Sequence, residues 1–144
     1  MARVLSVYDH TLKMLCQDLD WPDNTINLAL VTSAYTLDLG HTSWSQASGS
    51  EVSSGTGYTT GGEALANKTA ADTNLDADDV TFSSLTKTFR AGILYASGTY
   101  NGVVDPLIAY LLFDDTAGGT DVTVSGNDYD VIWNANGIFT LSVT

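Results

Sequence analysis

The sequence is poor in cysteine, in basic residues and in long apolar runs. Cys16 is the only cysteine among 144 residues, which excludes an intrachain disulfide, a thiolate metal cluster and a CxxC redox motif. No apolar run approaches the ~20 residues that a membrane-spanning helix needs, and the first residues lack the apolar core and cleavage site of a signal peptide. We therefore expect a soluble protein made in the cytoplasm, with no membrane partner.

Positive charge is scarce. Seventeen Asp and Glu residues stand against five Lys and Arg residues, which gives a formal charge of −12. Such a surface repels phosphate backbones and anionic lipid, so nucleic acid is not an expected partner. Glu51 and Glu63 are the only glutamates. Because aspartate favours turns and caps over helix interiors, the acidity points first to loops.

From residue 80 onward the chain is a series of short apolar segments separated by Gly, Asn, Asp and Ser. These segments are rich in β-branched, leucine and aromatic residues, which is typical of half-buried strands. The expected strands are residues 80–82, 88–96, 107–113, 122–124, 129–133 and 138–143, with an earlier, central strand at residues 25–32. The length suits one domain, residues 1–144. We expect a mainly β fold, a single antiparallel β-sandwich or barrel-like domain with one short N-terminal helix and a long polar loop.

The expected helix lies within residues 6–20. Tyr8, Leu12, Leu15 and Leu19 are spaced by four, three and four residues, which is one stripe of an amphipathic helix. Ser6 is a candidate N-cap, and the following turn, residues 21–24, contains a proline that stops the helix.

Residues 33–74 are dominated by Ser, Thr, Gly and Ala. This segment is too polar for a continuous core element and too long for an ordinary connection, and such loops are usually functional or mobile. Near the other end of the chain, Asn136 and Gly137 separate two apolar runs. Both residues accept positive φ, so they predict a hairpin turn that ends the chain in an antiparallel strand pair.

The residues that could carry chemistry do not form a recognisable site. Residues 72–79 resemble the start of a calcium loop, but Ala77 stands where the loop needs glycine and Ser83 where it needs a bidentate glutamate. The aspartate pairs 114/115 and 128/130 are more simply loop and strand-edge charges than a glycosidase pair. His10 and His41 are the only possible histidine bases, and no serine elbow accompanies them. We expect no catalytic residue, no metal and no cofactor.

Five segments carry a resemblance to a known family. They are LALVTSAYTLD at 28–38, EVSSGTGYTTGGEALANKT at 51–69, DDVTF at 78–82, DPLIAY at 105–110 and WNANGIFTL at 133–141. In content and order they resemble a family of small virion structural proteins of tailed bacteriophages, over most of the chain. The resemblance brings no catalytic motif.

What the resemblance implies is a non-enzymatic virion protein, most simply a capsid decoration (cement) protein on the exterior of the shell. The expected partners are the major capsid protein and further copies of the chain, as a dimer or trimer. Residues 1–6 are expected to be an N-terminal arm and residues 33–74 an adhesive extension. The candidate interface residues are Arg3, Val4 and Leu5 in the arm and Trp44 and Tyr58 in the loop.

Three alternatives remain open from the sequence. A tail or connector protein would share the same resemblance. A carbohydrate-binding module would use exposed Trp44 and Tyr58 to stack on sugars. The third in order is an enzyme, a glycan hydrolase that would use an aspartate pair.

Overall fold

The computed structural model describes residues 3–141, and within them the expectation of a mainly β, antiparallel fold with one short helix is confirmed. The strands are β1 (Val4–Val7), β2 (Ile26–Val31), β3 (Glu63–Ala64), β4 (Thr69–Ala71), β5 (Asn74–Asp76), β6 (Val80–Phe89), β7 (Ala91–Ala96), β8 (Thr99–Tyr100), β9 (Val103–Val104), β10 (Leu107–Leu112), β11 (Val122–Val131) and β12 (Phe139–Thr140). The helical segments are α1 (Thr11–Gln17) and short 3-10 turns at Trp44–Gln46, Ser48–Ser50 and Thr116–Gly118.

A five-stranded antiparallel sheet with the order β1-β10-β7-β2-β3 forms the centre of the fold. Its edges among the described residues are β1 and β3, so the sheet is open and the arrangement is sandwich-like. The expected central strand at residues 25–32 is β2, which lies between β7 and β3 and is buried along nearly its whole length. Its continuous apolar sequence follows from having both faces covered.

The two faces of this sheet pack against different parts of the chain. Leu28 and Leu30 face the long ribbon of β6 and β11, and contribute to a core that includes Phe82 and Phe89. Ala29 and Val31, which alternate with them, belong to the opposite face. Side chains of successive strand residues point to opposite sides, so one apolar strand supplies both cores.

The helix is shorter than predicted, and the predicted stripe is buried only in part: Tyr8 and Leu19 are buried and Leu15 packs against the core, but Leu12 does not. The helix covers Thr11–Gln17, and Ser6 lies in β1 instead of capping a helix; the N-cap is His10. Leu12, expected in the buried stripe, is 68% exposed, whereas Met14 is 2% exposed. The physical reason is tertiary: residues 4–7 pair with β10, and such packing outweighs local helix preference.

Two strand predictions need new boundaries. Residues 88–96 are not one strand, because β6 ends at Phe89 and β7 begins at Ala91. Arg90 lies at the step between the ribbon and the sheet, where its N–H donates to the Val31 carbonyl. Conversely, the separate strands expected at 122–124 and 129–133 are joined in β11. The polar residues between them continue the strand through two register shifts that flank Asn127, and they are tolerated because only one face of the ribbon is buried.

The prediction of a C-terminal hairpin is correct for the turn but wrong for the strand that pairs with the final strand. The chain does turn at residues 134–137, with Gly137 at φ +104. However, β12 pairs with β5, with Phe139 opposite Leu75, and not with β11. Local turn chemistry predicted the turn, but the partner is a strand about sixty residues earlier. Residues 142–143 of the expected final strand lie outside the described residues.

The segment at residues 33–74 is folded onto the central sheet and does not extend from it. Its apolar side chains at Trp44, Ala47, Val52 and Leu65 are all buried, and it contributes strands to two sheets. Gly62 shows how closely it packs: at φ +81, a Cβ at this position would collide with the Leu28 carbonyl. Glycine accepts both the dihedral and the contact, so the polar sequence covers the sheet by close backbone approach.

The expected N-terminal arm is also part of the body. Val4–Ser6 belong to β1, which pairs with β10 without a register shift. Residues 1–2 of that arm lie outside the described residues. Deleting residues 1–6 would therefore uncover β10 and remove the packing of Leu5 against the core.

Candidate interaction surface

Five exposed apolar side chains of the described residues either belong to the edge strand β1 or line the two grooves beside it. Val4 and Val7 of β1 are 42% and 43% exposed, Leu12 of α1 and Leu141 after β12 are each 68% exposed, and Ile132 after β11 is 65% exposed. Two further exposed large apolar residues, Leu39 and Val104, line neither of the grooves described next. We call the five residues, with those two grooves, the edge surface. Contiguous exposed apolar surface marks interaction sites in soluble proteins.

The first groove, the helix groove, lies between α1 and the three-stranded sheet β12-β5-β4. It has a volume of about 400 Å³. Its lining residues, which are predominantly apolar, are Val7, Thr11, Leu12, Leu15, Ala70, Ala71, Asp72, Thr73, Asn74, Leu75, Phe139, Thr140 and Leu141. Asp72 is the only charged residue among them.

The second groove, the arginine groove, lies at the other end of β1 and has a volume of about 380 Å³. Arg3 and Leu5 form one wall, and Ile132 and Trp133 contribute to the other. The Arg3 guanidinium carbon lies 5.9 Å from the ring centroid of Tyr129. Burial raises the pKa of the Tyr129 hydroxyl, and the positive charge of Arg3 opposes that shift. Among the described residues, Arg3 is the only charged one in the lining.

β1 connects the two grooves. Arg3 and Leu5 line the arginine groove, and Val7 lines the helix groove. These alternate residues share one face of the strand. Because β1 is the end of the sheet order, the edge surface combines apolar side chains with the free backbone edge of a strand. Such an edge is a template for pairing with another chain.

Three of the five predicted interface residues, Arg3, Val4 and Leu5, lie on this surface. Leu12, Ile132 and Leu141 are exposed there as well, although the sequence does not predict them as interface residues. The helix spacing predicts a buried stripe that includes Leu12, and the other two lie in predicted strands. The pattern of apolar residues alone does not distinguish the side of an element that is covered by the protein from the side that is left open.

The other two predicted interface residues do not lie on this surface, and the expectation that Trp44 and Tyr58 are exposed is wrong. Trp44 is 8% exposed and stacks on Tyr95, with ring centroids 4.7 Å apart. Tyr58 is 3% exposed and packs against Phe82. Both residues fill the space between the segment at residues 33–74 and the sheet, so neither offers a ring face to a sugar.

The Tyr58 hydroxyl is the centre of a buried polar network. It accepts a hydrogen bond from the Leu30 N–H at 3.1 Å and donates one to Glu51 Oε1 at 2.7 Å. The same carboxylate oxygen accepts the N–H of Gly61. Burial and the Glu51 carboxylate both raise the pKa of Tyr58. The available sequence signal was the density of glycines around Tyr58, which permits close backbone packing as well as turns.

The candidate chemical residues have structural roles. His10 Nε2 lies 2.7 Å from the Leu107 carbonyl, and His41 Nδ1 lies 3.1 Å from the Tyr35 hydroxyl. Asp128 accepts the Ser84 N–H. These contacts anchor loops and the helix to the sheets.

The acidic segments likewise form no metal centre. Within residues 3–141, no group of three or more His, Cys, Asp or Glu side chains is placed to hold a metal ion. Hydrogen bonds from Thr116 lower the pKa of the Asp114 carboxyl group. Asp130 accepts the Thr81 hydroxyl at 2.6 Å. These carboxylates bind their own chain at turns and along the ribbon.

Comparison with known proteins adds no functional assignment. No protein-family model, curated protein or solved structure matches the chain. Among the described residues, no helix is both long enough and apolar enough to cross a membrane.

Proposed function

We propose that the protein is a non-enzymatic structural component of a tailed-bacteriophage virion, a capsid decoration protein that binds the major capsid protein on the outside of the shell. The observation that carries the binding part of this proposal is the edge surface, where exposed Leu12 and Leu141 flank a largely apolar groove. The virion part rests on the resemblance of the five sequence segments to phage structural proteins. A tail or connector location is the competing outcome of the test.

The charge of the chain agrees with an external location. A formal charge of −12 repels packaged DNA, so binding is favoured on the side of the shell away from the genome. Copies in solution repel one another as well, which keeps them soluble before assembly. The weakly charged edge surface is then the part of the molecule where another protein approaches at least electrostatic cost.

Repeated weak contacts suit such a role. Many copies on a symmetric shell bind with avidity, because each contact raises the effective concentration for the next. Contacts between neighbouring copies belong to the same proposal, and so does stiffening of the seams between capsomers.

The first test is the copy number of the chain in purified virions, measured by quantitative mass spectrometry against the major capsid protein. A ratio of the same order as the shell protein is expected. A handful of copies would assign the protein to the tail or connector, and its absence from virions would refute the proposal.

The second test maps the contact on the shell. We expect Leu12→Asp to abolish sedimentation of the protein with empty capsids, because the change introduces a charge at the mouth of the helix groove. Val104→Asp is the matched control: Val104 is 59% exposed but lines neither groove. Both side chains are exposed, so circular dichroism should show folded protein in each case. Equal capsid binding by the two variants would remove the helix groove from the contact.

A further inference from the structure

The backbone groups on the free edge of β1 can be assigned residue by residue. In the antiparallel pair with β10, the Tyr8 N–H donates to the Ile108 carbonyl at 3.1 Å. Hydrogen bonding alternates along such a pair, so Val4 and Ser6 also direct their backbone groups to β10. The N–H and C=O groups of Arg3, Leu5 and Val7 therefore point to the open side. In the described residues no strand pairs with that side.

This edge lacks most of the usual protection against pairing. The strand is short, but no lysine, proline or register shift interrupts residues 4–7. Its end residues Val4 and Val7 are both half-exposed. Free edges of this kind readily accept another strand.

The grooves at the two ends of β1 carry opposite charges. Among the described residues, Arg3 is the only charged residue that lines the arginine groove, and Asp72 is the only one that lines the helix groove, which Val7 also lines. A two-fold axis perpendicular to the strand exchanges its ends. Such an axis places Arg3 of each copy beside the helix groove of the other, toward the partner copy's aspartate.

We propose that β1 pairs antiparallel with β1 of a second copy, in a two-fold dimer centred on Leu5. Leu5 is then opposite its own counterpart, and Arg3 is opposite Val7 of the other copy. This register joins the outward backbone groups of the three residues and joins the two five-stranded sheets into one continuous sheet. The same patch serves both copies, as a two-fold interface requires.

The distribution of charge along β1 favours a second copy of the chain, and not another extended segment, as the strand that pairs with it. The surface carries its cation and its anion in the grooves at opposite ends of one strand, and a two-fold partner satisfies both grooves at once. A segment of the shell protein would need to present the same two charges at the same spacing. The proposal deepens the proposed function, on which it rests only for the expectation that copies of the chain associate.

The test uses the full chain in solution, without capsids, so its outcome is separate from that of shell binding. Analytical ultracentrifugation over a concentration series is expected to show a monomer–dimer equilibrium. Arg3→Glu is expected to raise the dimer dissociation constant roughly tenfold, because it places two like-charge pairs in the symmetric interface. The double variant Arg3→Glu/Asp72→Lys restores both pairs and is expected to return the constant to near its original value.

A backbone variant tests the strand pairing independently of charge. Val7→Pro removes an N–H that points away from β10, so the intrachain ladder is kept and the bond to the second copy is lost. Thermal melting followed by circular dichroism checks that each variant is folded.

A protein that stays monomeric up to its solubility limit refutes the proposal. So does a dimer that the charge exchange fails to restore. Crosslinking of β1 to the major capsid protein on shells, with a monomer in solution, would assign the edge to that protein and also refute self-pairing. The copy number in virions does not depend on these outcomes, so it tests the proposed function separately.

Discussion

Replacing Tyr58 by phenylalanine tests whether the polar segment at residues 33–74 is part of the folded core. The ring is kept, so the stacking against Phe82 remains. Only the hydroxyl is removed, and with it the hydrogen bonds to Glu51 and to the Leu30 N–H. The variant therefore isolates the polar network that joins this segment to the central sheet.

The expected loss of stability has two parts. The Leu30 N–H is left buried without its acceptor, which costs about 1–3 kcal/mol. The hydrogen bond to the Glu51 carboxylate, a charged acceptor, contributes about 1.5–3 kcal/mol. Glu51 keeps its bond from Gly61, so the two parts do not add in full. We expect Tyr58→Phe to lower the free energy of unfolding by about 2–4 kcal/mol.

Urea denaturation measures this difference, and Tyr100→Phe is the matched control. The Tyr100 hydroxyl donates to the Ser97 carbonyl at 3.1 Å near the surface, so its loss should cost less than about 0.5 kcal/mol. Both variants should keep the dependence of stability on urea concentration, because the area exposed on unfolding is unchanged. Equal stabilities of the two variants would refute the buried network and would indicate that the Tyr58 hydroxyl is exposed to solvent.

Two further predictions concern pH and backbone packing. Burial raises the pKa of Tyr8 and of Tyr58 above the ordinary value of 10.0, so the folded chain holds these protons after the unfolded chain has lost them. Their contribution to stability is complete below pH 10 and then falls by about 1.4 kcal/mol per pH unit for each tyrosine. Urea midpoints measured at about pH 9, 10 and 11 check this, and midpoints that hold steady above pH 10 would contradict it. Gly62→Ala should destabilise the chain severely, because the new Cβ meets the Leu28 carbonyl, while Gly102→Ala, also at positive φ but with open space around it, should cost about 1 kcal/mol. Similar melting temperatures for the two alanine variants would contradict the close packing at Gly62.

Composition and local pattern were sufficient for the fold class. Strand-forming residues between turn formers predicted the β regions, and the unbroken apolar run at residues 25–32 predicted an interior strand. Such signals are local: a β-branched or aromatic residue favours extended backbone wherever its partner strand lies. The single cysteine and the scarcity of basic residues likewise excluded disulfides and argued against a nucleic-acid partner, without reference to any contact.

Only the tertiary structure decided which of these residues are covered and which strands pair. Trp44 and Tyr58 lie in a polar segment and are nevertheless buried, because the central sheet supplies an apolar face for them. Leu12 has the spacing of a buried helix residue and is exposed, because β1 takes the preceding residues and α1 turns another side to the sheet. Strand pairing and burial depend on residues far apart in sequence, and β1 became a candidate site because its partner β10 occupies one edge and leaves the other open.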